Sequence, residues 1–164
     1  MSVPARPSHV TPGGGVAMVD VGAKAVTERS AHARARVRMS PATEAALRET
    51  TLAKGDAFVT AQLAGIMAAK QTATLIPLAH PLPLSSVDVS LSWAGPGVLQ
   101  IDAVARTTAQ TGVEMEAMTA AAVAALTIYD MSKSLEKGIV VESIMLVEKR
   151  GGKSGTWRAP EGAA

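Results

Sequence analysis

The stretch TGVEMEAMTAAAVAALTIYDMSKSLEKG, from Thr111 to Gly138, decides how the rest of this chain is organised. Its middle, Ala117 to Tyr129, is apolar or small apart from two threonines and contains neither glycine nor proline. Such a run is typical of a helix, and it is shorter than the roughly 20 apolar residues that a bilayer requires. A helix that is apolar on every side is expected to be buried on every side. The stretch therefore predicts the central helix of one small domain, ending at Gly138.

The charges of this helix are confined to its two ends. Asp130 and Lys133 follow the apolar run and lie about 60° apart, one turn along the same face. Glu116 precedes the run and lies within about 40° of the direction of Asp130, but roughly 21 Å away along the axis, and Glu114 points to the opposite side. If all four charges serve one site, one helix cannot easily supply them. We therefore expect an interface that brings opposite ends of two copies together.

Length and composition predict one domain that associates with copies of itself. The chain has 164 residues, of which 48% are hydrophobic but only 2% are aromatic. This length suffices for a single core, and a core built from small aliphatic side chains favours burial of further surface by oligomerisation. The formal net charge is only +2. Together with the shortage of aromatic side chains for base stacking, this charge argues against a nucleic-acid partner.

The absence of cysteine from the sequence excludes several kinds of chemistry. Disulfides, thiolate catalysis and cysteine-ligated zinc or iron–sulfur sites are ruled out. The first residues, MSVPARPSHVTPGGG, contain no apolar signal region. We therefore expect a cytoplasmic protein without a membrane partner.

The order of predicted elements indicates an α+β fold. Residues 1–16 are expected to be disordered, residues 17–150 to form a single domain, and residues 151–164 to form a flexible tail. Within the domain we predict an alternating, half-buried strand over 31–39 with a basic outer face, followed by a helix from 41 to about 51 and a helix from 57 to about 71. A hairpin of strands 86–92 and 99–105, the central helix, and a strand from 139 to about 148 complete the domain. One antiparallel sheet with helices packed on one face fits this order, in a ferredoxin-like fold.

His80 is the first candidate for chemistry, within IPLAHPLPL (76–84). The three prolines of this segment force extended backbone on their predecessors and hold the imidazole in place. A fixed group that titrates near neutral pH suits acid–base catalysis. A lone histidine is, however, more often structural or merely exposed.

The helix charges also have two interpretations. Asp130 and Lys133 are either an ordinary surface ion pair or a carboxylate whose protonation is tuned by a neighbouring ammonium. Glu114 and Glu116 either favour a helix N-terminus or take part in proton transfer.

Two glycine-containing segments are candidates for anion binding. Lys54 and Gly55 precede a predicted helix N-terminus that Asp56 would cap, where free N–H groups attract phosphate; the alternative is a solvated lysine. The segment GGKS (151–154) resembles the end of a P-loop, but Val147 stands where that motif needs glycine and no helix follows. It is therefore either a flexible basic arm that presents Lys153 to an anion or a disordered tail.

Seven stretches taken together closely resemble the molybdenum-cofactor biosynthesis protein C family, whose members are called cyclic pyranopterin monophosphate synthases. The resemblance runs from about Met18 to Trp157. The stretches are MVDV (18–21), KGD (54–56), AGIMAAK (64–70), LIPLAHPL (75–82), TGVEMEAMTAA (111–121), ALTIYDMSK (125–133) and GGKSG (151–155).

The resemblance implies a specific reaction, assembly and site. The family rearranges a cyclised dihydro-GTP, made by a radical S-adenosylmethionine GTP cyclase, to cyclic pyranopterin monophosphate and expels pyrophosphate, which is a lyase reaction. The fold would be ferredoxin-like, in a homohexamer built as a trimer of dimers with sites between subunits. Many members have cysteine where this chain has Ala79 and Ser132, so neither thiol is essential if this protein is active. The site residues carried over from the motifs are Lys54, Leu78, Ala79, His80, Glu114, Met115, Glu116, Asp130, Lys133 and Lys153, with Arg29 as a further phosphate contact.

These residue types suit the implied chemistry. Departing pyrophosphate carries negative charge that lysines stabilise, while ring opening and closure need proton transfers to which Asp130, His80 and the glutamates are suited. No redox cofactor is required, and Mg²⁺ is expected only as a companion of the triphosphate, since no dedicated ligand cluster is present. The alternative is a non-catalytic, oligomeric nucleotide-sensing module, which would need the cations but neither Asp130 nor His80.

Overall fold

A computed structural model of the chain describes residues 9–11, 13–49 and 56–160, and within them a five-stranded antiparallel sheet carries helices on one face. The elements are β1 (Thr27–Arg38), α1 (Pro41–Arg48), α2 (Ala57–Lys70), α3 (Thr72–Leu75), β2 (Leu84–Gly95), β3 (Val98–Ala109), α4 (Glu114–Ser132), β4 (Val140–Arg150) and β5 (Trp157–Arg158). The order of strands in the sheet is β2-β3-β1-β4-β5. This arrangement confirms the predicted α+β fold of ferredoxin-like type.

The alternating pattern of β1 creates the core. Its buried side chains face α4, and the neighbouring strand β3 buries its own alternate residues, such as Leu99 and Ile101, on the same side. On the opposite face of the sheet, His32 and Arg34 both contact Asp102, at 2.6 and 2.8 Å. The Asp102 carboxylate of β3 therefore offsets part of the positive charge on the predicted basic outer face of β1.

Small residues let helices α2 and α4 pack closely against each other. A Cβ at Gly65 of α2 would lie 2.9 Å from the carbonyl oxygen of Ala120 in α4. Real Cβ atoms do not approach that closely, so the contact between the two helices requires glycine.

Helix α4 is the predicted central helix, but it ends at Ser132 rather than at Gly138, and the prediction that it is buried on every side is wrong for the single chain. Leu126 is 60% exposed and Met115 is 37% exposed, whereas Ala120, Ala124 and the other inward residues are buried. The sheet and α2 cover only part of the helix surface, so its outward side remains apolar and uncovered.

Several predicted element boundaries also differ from the structure. Helix α1 ends at Arg48 rather than near Thr51, and the three main strands β1, β2 and β3 are longer than predicted. Ile76, which precedes Pro77, has extended backbone as predicted, and the N–H of Ala79 donates to its carbonyl oxygen at 3.0 Å to close a turn. Strand β5 was not predicted, and it pairs with Glu148 and Lys149 of β4.

The structure describes only part of the predicted N-terminal segment. Of the predicted disordered segment 1–16, residues 1–8 and 12 lie outside the described residues, and Val10 and Val16 form an isolated bridge. The division into segments 1–16, 17–150 and 151–164 stays a prediction. Within the described ranges, no helix combines the length and the apolar character that crossing a membrane needs.

Candidate functional site

Two adjoining cavities lie where the N-terminus of α4 meets the start of β1 and the turn after β4. The larger cleft has a volume of about 890 Å³ and the smaller pocket about 330 Å³. They share Lys24, Thr111, Gly112 and Glu114. Most of the predicted site residues line one or both cavities: Arg29, Glu114 and Lys153 the larger cleft, and Leu78, Ala79, His80, Glu114, Met115 and Glu116 the smaller pocket.

The larger cleft is lined by four cationic side chains. These are Lys24, Arg29, Lys149 and Lys153, and they face one carboxylate, Glu114. The Lys149 Nζ lies 3.0 Å from Glu114 Oε1, so one cation is compensated within the cleft. The remaining excess of positive charge suits a polyanionic ligand.

The loop before α4 is shaped to admit the Glu114 carboxylate. A Cβ at Gly112 would lie 1.9 Å from Glu114 Oε2. Glycine at this position therefore allows the carboxylate to fold back into the cleft. As a result Glu114 and Glu116 line the same pocket, although the helical projection alone placed them on opposite sides.

The smaller pocket contains His80, and its orientation is fixed by a backbone contact. His80 Nε2 lies 2.9 Å from the carbonyl oxygen of Val19. A carbonyl oxygen can only accept, so Nε2 carries the hydrogen and donates it. In the neutral ring Nδ1 is then left as a proton acceptor, as a general base requires.

Glu116 is the most perturbed carboxyl of the pocket. It is 4% exposed, and its burial, with a smaller contribution from the charge of Glu114, raises its pKa to about 6. A carboxyl group with a pKa close to neutral both accepts and returns a proton readily. Glu116 is therefore suited to proton transfer rather than only to the helix N-terminus.

Replacement of Glu116 by Gln should stabilise the folded protein at pH values above about 4.5 and have little effect below it. A carboxyl whose pKa is raised on folding destabilises the folded state as it ionises, between about pH 4.5 and pH 6. We expect the free energy of unfolding of Glu116→Gln to exceed that of the wild type by about 2 kcal/mol at neutral pH and by little at pH 4. Denaturant unfolding across this range measures the difference, with the exposed Glu49→Gln as the matched control for loss of one carboxylate. A gain that is constant with pH would contradict the burial argument.

Asp130 and Lys133 lie at the other end of α4, away from both cavities. Lys133 Nζ donates to Asp130 Oδ1 at 2.5 Å, and this hydrogen bond raises the pKa of Lys133. Both side chains are about half exposed. Within one chain, Asp130 and Lys133 therefore lie far from Glu114 and Glu116. This separation is the one predicted from the length of the helix.

The predicted phosphate contact at Lys54 lies outside the described residues. The predicted cap next to it is confirmed, because Asp56 Oδ1 accepts hydrogen bonds from the N–H groups of Phe58 and Val59 at 2.9 and 3.1 Å. These N–H groups are thus occupied by a carboxylate of the chain itself.

Lys149 and Lys24 were missed by sequence reasoning. The predicted strand stopped near Glu148, and simple alternation from Leu146 would turn Lys149 outward. A register shift between the pairs Ala33–Leu146 and His32–Glu148 reverses that alternation and places Lys149 opposite Ala31, on the helix side. For Lys24 the sequence carries no signal, because it lies in an irregular segment before β1.

The described ranges contain no group of three or more His, Asp or Glu side chains placed to hold a metal ion. The expectation that Mg²⁺ accompanies only a triphosphate substrate, and that no cofactor is required, stays a prediction.

Comparison of the sequence with known proteins identifies a family and several relatives. The family model described as the MoaC family matches residues 18–152. Three curated relatives are each called cyclic pyranopterin monophosphate synthase. The relative from Novosphingobium aromaticivorans is 54% identical over 94% of this chain and 98% of its own length. The relative from a Nostoc species is 56% identical over 93% and 92%, and that from Thermomicrobium roseum is 50% identical over 96% and 95%.

Proposed function

The chain belongs to the MoaC family, and on this premise we propose that it catalyses the reaction for which its curated relatives are named. It would convert the cyclised dihydro-GTP to cyclic pyranopterin monophosphate with release of pyrophosphate, as a lyase of molybdenum cofactor biosynthesis. The substrate would come from a radical S-adenosylmethionine GTP cyclase, in the cytoplasm. The observation that carries the proposal is the pair of adjoining cavities, one cationic and one lined by His80 and the buried Glu116.

Each of the two cavities would bind a different part of the substrate. The larger cleft, with Arg29, Lys149 and Lys153, would hold the triphosphate, and its cations would stabilise the charge that builds on departing pyrophosphate. The smaller pocket would hold the rings, where His80 and Glu116 exchange protons as bonds open and close. The reaction changes no oxidation state, so it calls for no redox cofactor.

A second copy of the chain would complete the site. On α2, Val59, Leu63 and Met67 recur every fourth residue and are each more than half exposed, as is Leu126 on the neighbouring helix α4. We call these four residues the helical surface. Large apolar side chains exposed together on two packed helices are typical of an interface between subunits.

Antiparallel packing of two α4 helices across the helical surface would explain the position of Asp130 and Lys133. The C-terminal end of one helix then lies beside the N-terminal end of the other. Within one helix, Glu116 and Asp130 are separated by roughly 21 Å. In the dimer, Asp130 and Lys133 of one subunit would instead lie beside the pocket of the partner subunit. Such dimers would assemble as the homohexamer, a trimer of dimers, that the family resemblance implies.

Incubation of the purified protein with the cyclised dihydro-GTP tests the proposed reaction. We expect pyrophosphate and cyclic pyranopterin monophosphate to form in equal amounts. Binding of the substrate without either product would favour the nucleotide-sensing module instead.

A further inference from the structure

The side chain of Arg29 is held in the wall of the larger cleft by two hydrogen bonds to backbone carbonyl oxygens. Its Nε donates to the carbonyl oxygen of Ala109 at 3.0 Å, and its Nη2 donates to that of Gln110 at 3.1 Å. Both carbonyls lie at the end of β3. These two contacts fix the plane of the guanidinium but use only part of its donors.

The other side of the guanidinium is closed by the glycine turn after β4. A Cβ at Gly152 would lie 2.3 Å from Arg29 Nη1 and 2.9 Å from Arg29 Cζ. Its neighbour Gly151 packs in the same way on the backbone of β1, because a Cβ there would lie 2.2 Å from the carbonyl oxygen of Glu28. Both glycines have positive φ angles, 98° at Gly151 and 69° at Gly152. The turn is therefore shaped to the guanidinium and not merely placed near it.

The same turn places Lys153 beside Arg29. Lys153 follows Gly152 directly and lines the same cleft. One backbone turn thus sets the positions of two cations, one by contact and one by covalent connection.

We propose that Gly152 is a positioning residue for the anion-binding wall: its missing side chain seats the Arg29 guanidinium between the turn and the end of β3, so that Arg29 and Lys153 bind the same pyrophosphate group. This inference rests on the proposed function for the identity of the ligand. Any side chain at Gly152 would push the guanidinium out of its seat and weaken the charge-assisted hydrogen bonds that it offers to phosphate.

Gly155 provides a matched control within the same turn. It also has a positive φ, 64°, but a Cβ there would meet no atom within 4 Å. Gly155→Ala therefore imposes the backbone strain of a left-handed alanine without displacing Arg29. A difference between Gly152→Ala and Gly155→Ala isolates the contact with the guanidinium.

Calorimetric titration with pyrophosphate tests the proposal on the full chain. We expect Gly152→Ala to weaken affinity roughly tenfold or more, and Gly155→Ala to change it less than about twofold. In the Arg29→Ala background, Gly152→Ala should produce no further loss, because there is no guanidinium left to displace. With the cyclised dihydro-GTP as substrate, Gly152→Ala should raise KM more than it lowers kcat.

The outcomes separate this inference from the proposed function. Equal affinities for Gly152→Ala and the wild type would overturn the positioning role even if turnover is observed. Loss of pyrophosphate binding in Gly152→Ala alone would support it even if the protein fails to turn over the substrate. If Gly152→Ala does not fold, recovery of folding in Arg29→Ala/Gly152→Ala supports the contact, and failure of both variants contradicts it.

Discussion

Replacement of Asp130 by Asn is expected to lower turnover of the cyclised dihydro-GTP by roughly a hundredfold or more, as loss of a general acid–base group does. The fold should survive, because the Asp130 side chain is about half exposed and lies outside the core. Lys133→Ala should cause a similar loss through missing charge stabilisation. In both variants the affinity for a non-reacting guanine triphosphate analogue should change much less than turnover, since the cationic cleft is intact.

Single-turnover product formation, measured beside analogue affinity, decides this prediction. Asp88→Asn is the matched control, because Asp88 forms another exposed ion pair, with Arg106 at 3.0 Å, away from both cavities. An ordinary surface pair contributes about 0–1 kcal/mol to stability, so this variant should keep wild-type turnover. If Asp130→Asn and Lys133→Ala also keep wild-type turnover, the assignment of these two residues to the site is wrong. Such a result would favour the non-catalytic nucleotide-sensing module.

Introduction of a charge into the helical surface is expected to abolish both assembly and turnover. Leu126 is 60% exposed in the single chain and would be buried against a second copy. A carboxylate in that position would lose its hydration without gaining a partner, and a twofold axis would place two such charges in one interface. Leu126→Glu should therefore behave as a single chain in light scattering, with turnover below a hundredth of the wild type, roughly the loss expected when a catalytic group is missing.

Leu126→Met is the control for this variant, because it keeps an apolar side chain of similar volume. We expect it to keep the assembly and most of the activity. A Leu126→Glu protein that is monomeric and fully active would show that one chain holds a complete site.

The sequence was sufficient for those parts of the structure that follow from periodicity and capping. Alternation in β1 identified its buried face, and Asp56 was identified as the cap of α2. Burial of α4 was overestimated, because a pattern that is apolar all round does not say whether the same chain or another copy covers it. The exposed Leu126 is the result.

The site could be predicted only as far as motifs and local geometry reach. His80, Glu116 and Lys153 carry motif information, and the structure places them in two cavities that share walls. Lys149 was missed because a register shift in β4 reverses the alternation on which strand prediction depends. The seating of Arg29 against Gly152 depends on contacts between residues more than a hundred positions apart in the sequence, and no local pattern reveals such contacts.

Two subunits are expected to share each site, and a mixture of two inactive variants distinguishes this arrangement from a site within one chain. One variant carries His80→Ala in the pocket and the other carries Asp130→Asn at the opposite end of α4. In a mixed dimer, one site receives an intact pocket from one subunit and an intact Asp130 from the other. After dissociation and random reassociation, about a quarter of wild-type turnover should return, because half of the dimers are mixed and each has one complete site. If the mixture stays as inactive as its components although mixed dimers have formed, each site lies within one chain and is not shared.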